Sequence, residues 1–268
     1  MIVINRVNNG YENYHVLGLG INSLFHQYFS KSMNNSDTLL AIDFPNRIII
    51  IGDKVNKIIE ENKKIIGMCN INPHDIANSL YGYRCTLNYI YINDKILYKN
   101  PLSYSRFETS YNYIHAPLFF FNFLTDFYFK GLNCVQRNEH DGIFYYCDEN
   151  SYMNSDSIQF IFDNYVFELK KENLFVKENK QYKFIIILNQ ENNGYDWLFG
   201  NYFLQNYLII FDNPNKSLLF IHSSYKKIPK FSEERYKSQK INLKFWSLIL
   251  ISILNILCSF LLLYVKKL

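Results

Sequence analysis

Histidine and cysteine are the residues with which this chain could bind a metal, attack a carbonyl or cross-link itself. Their spacing restricts all three. The six histidines are His15, His26, His74, His115, His140 and His222. None falls in an H-E-x-x-H or comparable ligand spacing, so neither a metal site nor a cofactor is expected. His115 reads as a polar loop histidine. The five cysteines are Cys69, Cys85, Cys134, Cys147 and Cys258. Cys258 lies in an apolar C-terminal run, which leaves four for the body and three ways to pair them. A secretory lumen would favour Cys134 with Cys147, whereas the cytosol would keep all four reduced. Gly18-Leu19-Gly20 lacks the third glycine and the helix of a phosphate loop. Neither a G-x-S-x-G elbow nor a cysteine-nucleophile signature occurs. Asn34-Asn35-Ser36 and Asn215-Lys216-Ser217 match the glycosylation pattern, which chance readily produces in an Asn-rich chain.

The elements that must position any site read as mainly β. Aromatic residues make up 18% of the 268, which suits strand surfaces and large buried areas. Arg47–Gly52 and Phe184–Leu188 are short apolar runs typical of buried strands. Ile158–Phe162, then Asp163-Asn164, then Tyr165–Phe167 predicts a hairpin, since Asp-Asn can supply the positive φ of a two-residue turn. Tyr89–Ile92 and Lys95–Leu97 predict a second hairpin around Asn93-Asp94. Two segments read as helical. Lys54–Lys64 sets Val55, Ile58 and Ile59 at helical spacing, with Asp53 as N-cap. Pro117–Phe129 opens on a proline suited to a first helical turn. No repeat of 20–50 residues is visible.

Charge divides the chain. The net charge is +4. Residues 223–244 carry seven Lys/Arg against two Glu, a net +5, and Lys266 and Lys267 add +2, leaving the body at −3. A slightly acidic body argues against a nucleic-acid partner, which would want clustered cations on the fold itself. Residues 223–244 read as a basic linker. Phe245–Val265 is 21 residues without a charge, roughly 31 Å as a helix, which predicts a transmembrane helix anchoring the protein in a membrane. Trp246 and Tyr264 sit near its ends, where aromatic residues favour the interfaces. The first residues, Met1–Arg6, contain no apolar core long enough for a signal peptide.

One segment carries a family resemblance. Trp197-Leu198-Phe199-Gly200-Asn201-Tyr202-Phe203-Leu204 leads into an apolar strand, Tyr207–Asp212. This resembles the closing segment of pepsin-like aspartic proteases, W-[IL]-L-G-[DNQ]-x-F-[LIM] followed by a strand ending in F-D. Four further segments fall in the same frame. Leu17–Leu24 is similar to G-[IL]-L-G-L-G-x-x-S-L, though Tyr14-His15 stand where that element has Asp-Gly. Arg47–Asp53 is similar to the next strand, Tyr91–Asp94 to the hairpin before the second catalytic loop, and Ser157–Leu174 to the hairpin after it. The resemblance covers the second lobe only. It implies a mainly β fold, the C-terminal lobe of the pepsin-like acid proteases with a few short helices, over residues 1–222. With the C-terminal anchor, it is nearest to a membrane-anchored endoplasmic-reticulum member of that family.

The resemblance also names a site. A second-lobe catalytic loop reads D-[ST]-G-[ST]-[ST], with a proline nine residues after the aspartate. Counting back from Pro117 gives Glu108, followed by Thr109 and Ser110, so these three are the candidate catalytic positions. Asp43, in Ala41-Ile42-Asp43-Phe44-Pro45, lies outside that frame. No Asp-Thr-Gly or Asp-Ser-Gly occurs in the chain. Aspartic proteases hold two carboxylates that share one proton, one acting as base toward water and the other as acid. One lobe supplies one carboxylate. Glutamate displaces it by roughly 1 Å, and Ser110 adds a Cβ where glycine lets the loop turn.

Three functions are therefore weighed. The first is a membrane-anchored, divergent aspartic-protease-like protein, inactive as an endopeptidase on its own. The second is the C-terminal part of a working aspartic endopeptidase whose first lobe is missing from this chain or supplied by a partner. The third is a tail-anchored structural or binding protein. The partners implied are the membrane, through residues 245–265, and a polypeptide substrate or complementary lobe. The compartment implied is the endoplasmic reticulum or secretory pathway.

Overall fold

A computed structural model describes residues 39–71, 84–92, 95–99, 104–108, 111–188, 197–212 and 215–231. Leu17–Leu24, the Asn93-Asp94 turn, Thr109, Ser110 and the apolar run 245–265 lie outside them. No helix among the described residues is long and apolar enough to cross a bilayer.

The first described elements are an antiparallel hairpin, β1 (Leu40–Asp43) and β2 (Ile48–Ile51). Asp43 closes β1 by accepting from the backbone N–H and the side-chain amide of Asn46, at 3.1 and 2.8 Å. It is a turn residue, as its place outside the catalytic frame requires. Helix α1 (Asp53–Asn62) follows, buries Val55 and half-buries Ile58 and Ile59. Asp53 is not its N-cap. Gly52 holds that position at φ 73°, and Asp53 lies in the first turn, where its charge suits the helix dipole. Strands β3 (Gly67–Asn70), β4 (Arg84–Ile92), β5 (Lys95–Lys99), β6 (Tyr104–Phe107) and β7 (Ile114–Ala116) come next. The expected hairpin is formed by β4 and β5.

The Pro117–Phe129 helix is shorter than its apolar run suggests. Only Phe120–Phe123 is α-helical (α2), and Leu124–Tyr128 continues as a π-helical turn. Strands β8 (Cys134–Glu139) and β9 (Gly142–Cys147) form a hairpin, followed by helix α3 (Glu149–Met153), whose first turn Asp148 caps. The hairpin β10 (Ile158–Phe162) and β11 (Tyr165–Leu169) turns through Asp163 at φ 49°, as the sequence predicted. Helix α4 (Lys171–Leu174) and strand β12 (Phe175–Glu178) follow. The run Phe184–Leu188 is not one strand. It breaks at Ile185 into β13 (Gln181–Phe184) and β14 (Ile186–Leu188). The chain closes through β15 (Trp197–Phe199), helix α5 (Asn201–Leu204), β16 (Tyr207–Asp212) and β17 (Ser217–His222). This is the strand, glycine turn, helical turn and strand read from the sequence.

Twelve of these strands form one sheet, with the path β11-β10-β4-β6-β15-β7-β14-β9-β13-β12 and with β5 and β8 on its edges. Five form a second, in the order β2-β1-β16-β17-β3. Alternation divides the second sheet's faces. Tyr207, Ile209, Leu218 and Phe220 enter the main core with Trp197, Phe160 and Phe199. Ile210, Leu219 and Ile221 turn the other way, onto Val55 of α1. The main core is aromatic, with rings 4.7–5.6 Å apart around Phe199, including Phe107, Phe160 and Phe203. Each fully buried ring of this size contributes about 1.5–3 kcal/mol. Disulfides join Cys69 to Cys85 and Cys134 to Cys147. The compact unit containing these elements runs to Pro229. Ile228 is buried against Gly67 and donates to the Ile65 carbonyl at 3.3 Å, so residues 223–229 stay on the body.

Candidate active site

The candidate loop is positioned by an arrangement in which β15 lies between two strands of opposite sense. It runs parallel to β6 and antiparallel to β7, while β7 runs parallel to β14. Strand β6 ends at Phe107, and the chain then leaves the sheet beside the end of β15. Glu108 therefore sits where β6 terminates, anchored by its N–H to the Phe199 carbonyl at 3.1 Å. The loop's return is held by the turn after β15. Gly200, Asn201 and Tyr202 donate to the carbonyls of Tyr113, Tyr111 and Asn112, at 3.2, 2.8 and 2.9 Å. The first N–H groups of α5 are thus spent on the loop. Gly200 is needed for closeness. A Cβ there would fall 2.5 Å from the Tyr111 carbonyl oxygen and would also overlap that of Tyr113.

Glu108 and Arg106 stand two residues apart on one strand edge and so face the same side. Arg106 Nη1 lies 3.5 Å from Glu108 Oε1, and both side chains are roughly one-quarter to one-third exposed. The group beside this carboxylate is a cation and not a second carboxyl group. Across the sheet, Arg106 registers with Leu198, Leu198 with His115, and His115 with Ile187. His115 is not a solvent-facing loop residue. It is buried in β7 with its ring edge-on to Tyr111 at 4.7 Å, and its Nδ1 has no partner among the described residues. Burial lowers its pKa, and the carboxylate of Asp141 opposes that only in part.

A second group beside the loop went unseen in the sequence. Lys183 is buried on the opposite face of the main sheet's core, with Nζ 3.0 Å from Glu139 and 3.8 Å above the Phe144 ring. The Tyr113 and Tyr146 rings stand 5.2 and 5.4 Å away, and Tyr146 donates its hydroxyl to Glu139. Burial alone would lower the Lys183 pKa. Its hydrogen bonds with Tyr146, Glu139 and Tyr113 outweigh burial and raise it. Tyr113 joins this box to the loop and packs on Tyr202 of α5 at 5.3 Å.

The described lobe has the architecture of a pepsin-like acid protease lobe. Residues 108–222 match the eukaryotic aspartyl protease family, a match that opens on Glu108 and closes on His222. No curated protein matches the chain. Among solved structures it is similar to the basic 7S globulin from soybean, at 17% identity and a TM-score of 0.60, covering 79% of this chain and 58% of that one. It is also similar to conglutin gamma, a basic 7S globulin from lupine seeds, at 14% identity and a TM-score of 0.58, covering 76% and 56%. At these identities the likeness shows the fold. It reaches well beyond the family match, and the chain spans less than three-fifths of either structure.

Proposed function

We propose that this chain is a membrane-anchored, divergent aspartic-protease-like protein that does not cleave polypeptides by itself. The observation that carries the reading is the ion pair at the candidate loop. Peptide hydrolysis by this chemistry needs one carboxylate as base and a second, protonated one as acid. Here the residue at the aspartate position is Glu108, and its neighbour is the guanidinium of Arg106. A guanidinium does not release a proton in this pH range, so it cannot serve as the acid. Thr109 and Ser110 complete the proposed loop. The two disulfides suit an oxidising lumen, in keeping with the endoplasmic reticulum or secretory pathway. The charge-free run at 245–265 supplies the anchor.

The test is peptide hydrolysis by the full chain across acidic to neutral pH, with Glu108→Ala alongside. No turnover above that of Glu108→Ala is expected. Pepstatin-sensitive cleavage that Glu108→Ala abolishes would overturn the reading. Anchoring is tested separately. The full chain should stay in the membrane fraction through a carbonate wash, and a chain ending before residue 245 should leave it.

A second reading has its own observation. The chain covers 58% and 56% of the solved structures it resembles. A complementary lobe, carried by another polypeptide, would then supply the second carboxylate, and this lobe would form half of a working endopeptidase. Activity that appears only when a second polypeptide is added, and is lost with Glu108→Ala, would favour it.

A further inference from the structure

Helix α1 packs over one row of the second sheet and leaves a space over the next. Cross-strand partners share a face. Ile50, Ala41, Ile210 and Leu219 form one such row, and Val55 packs on it. The next row on that face holds Asp43, Leu208 and Ile221. Here helix and sheet enclose a cavity of about 380 Å³, lined by this row from the sheet and by Ile58 and Glu61 from α1. That size suits one small molecule or one long side chain. The cavity belongs to the second sheet and includes no residue of the candidate loop among those described.

Its lining has a definite chemistry. Ile58, Leu208 and Ile221 make an apolar floor, and the charged groups are the carboxylates of Asp43 and Glu61. No lysine or arginine lines it among the described residues. Asp43 accepts two hydrogen bonds from Asn46, which leaves a carboxylate about two further acceptor sites. Glu61 has Lys57 at 3.9 Å, but the two side chains are 61% and 76% exposed, and such a pair is weak. His222 is also in the lining. Burial, with Lys226 adding to it, lowers the His222 pKa, so the ring carries no charge at neutral pH and does not repel a cation. Tyr225, another lining residue, is 67% exposed and so stands at the mouth. Its N–H donates to the His222 carbonyl at 2.8 Å, and its backbone is left-handed at φ 54°. A bulky residue in that region is uncommon, and strain of this kind gathers at ligand clamps. An aromatic ring beside two carboxylates suits a cation.

We propose that this cavity binds a small organic cation, an ammonium or guanidinium group carried on an apolar stem. The head pairs with Asp43 and Glu61, the stem lies on Ile58, Leu208 and Ile221, and the Tyr225 ring flanks the head at the mouth. Both parts of the ligand are needed. A bare cation gains nothing from the floor, and a neutral apolar ligand gains nothing from the carboxylates. The same chemistry is offered by a free amine and by a lysine or arginine side chain of another polypeptide, so the test separates these two sources.

The experiment is calorimetric titration of the full chain, in a non-ionic detergent and an amine-free buffer, with phenethylamine and with its neutral counterpart 2-phenylethanol. A submillimolar dissociation constant is expected for the amine, and binding at least ~10-fold weaker for the alcohol. Asp43→Asn, which keeps an acceptor for Asn46, and Glu61→Gln should each weaken the amine ~3-fold or more and leave the alcohol unchanged. Glu61 is exposed, so the thermal midpoint of Glu61→Gln should match the parent, and its loss of binding is then not a loss of fold. A lysine tripeptide blocked at both ends is titrated in parallel. Tighter binding than phenethylamine assigns the site to a polypeptide side chain, and weaker binding assigns it to a free amine. No binding of either cation into the millimolar range overturns the proposal. So does an alcohol that binds as well as the amine, or an amine affinity indifferent to both Asp43→Asn and Glu61→Gln.

Discussion

At the residue scale, Gly200 shows most directly how the sequence builds the loop. Its φ of −89° is open to any residue, so the constraint is contact alone. A methyl group at this position meets two backbone carbonyls, which cannot swing aside as a side chain can. Gly200→Ala should therefore cost about 2–3 kcal/mol, read as a lowered midpoint in urea unfolding at unchanged slope. It should also loosen Glu108 and residues 111–113 in hydrogen exchange before the sheet opens. Lys183 is the other residue whose removal tests the loop's support. Its charge is held by Glu139 and three rings, while Glu139 remains one-third exposed. Truncating Lys183 leaves a hydratable carboxylate, so the loss should be moderate. Lys183→Ala is expected to cost about 1–3 kcal/mol, and Lys183→Met, which keeps the stem packed on Phe144, roughly half of that. Equal losses for the two variants would show that the cation, and not the packing of the stem, holds the box.

At the element scale, the closing segment was legible because its signals are local. Trp197–Phe199 and Tyr207–Asp212 are apolar runs, and the glycine and helical turn between them lie within eight residues. The Asp163-Asn164 hairpin was legible for the same reason. The break at Ile185 was not. Ile185 is fully buried, its N–H goes to Leu174 and its carbonyl accepts from Ile114. A change of sheet partner inside a core leaves the residues apolar on both sides, so no polar residue marks it. The Lys183 box was hidden differently. A lysine in a strand reads as solvent-facing, and Tyr113, Glu139 and Phe144 reach it only through the order of strands in the sheet. His115 reads as a loop residue because nothing in its sequence neighbours reveals that β7 has strands on both sides. The disulfide between Cys69 and Cys85 is another product of topology, since it joins an edge strand of one sheet to a central strand of the other. It closes 16 residues of chain. Replacing both cysteines with alanine should lower stability by about 2–4 kcal/mol, with β3 and its neighbour β17 the first to exchange their amide protons.

At the scale of the whole molecule, buried His115 and half-buried His222 bear on how the body responds to acid. His115 and His222 both have lowered pKa values, chiefly through burial, with Lys226 adding to the effect at His222. His222 also accepts from the Ser224 N–H through Nδ1 at 3.1 Å, which fixes its neutral tautomer with the proton on Nε2. In the unfolded chain each ring would take a proton near its ordinary value of 6.5. Over that range the unfolded state binds more protons than the folded one, so stability falls as pH drops. The full contribution is present above 6.5 and is lost progressively below it, toward the lower folded values. Two carboxylates with lowered values, Glu139 and Asp148, begin to add to the loss only near their ordinary values of 4.5 and 3.8. Asp163, raised by burial, acts in the opposite sense. Among the described residues, His115 and His222 therefore govern the slope between about pH 7 and pH 5. Thermal midpoints of the full chain should fall across this interval. His115→Leu and His222→Asn should each flatten the fall, whatever they do to the midpoint at neutral pH. A slope unchanged by both variants would show that protonation at these two sites does not set the acid response. With this dependence the described body is most stable near neutral pH.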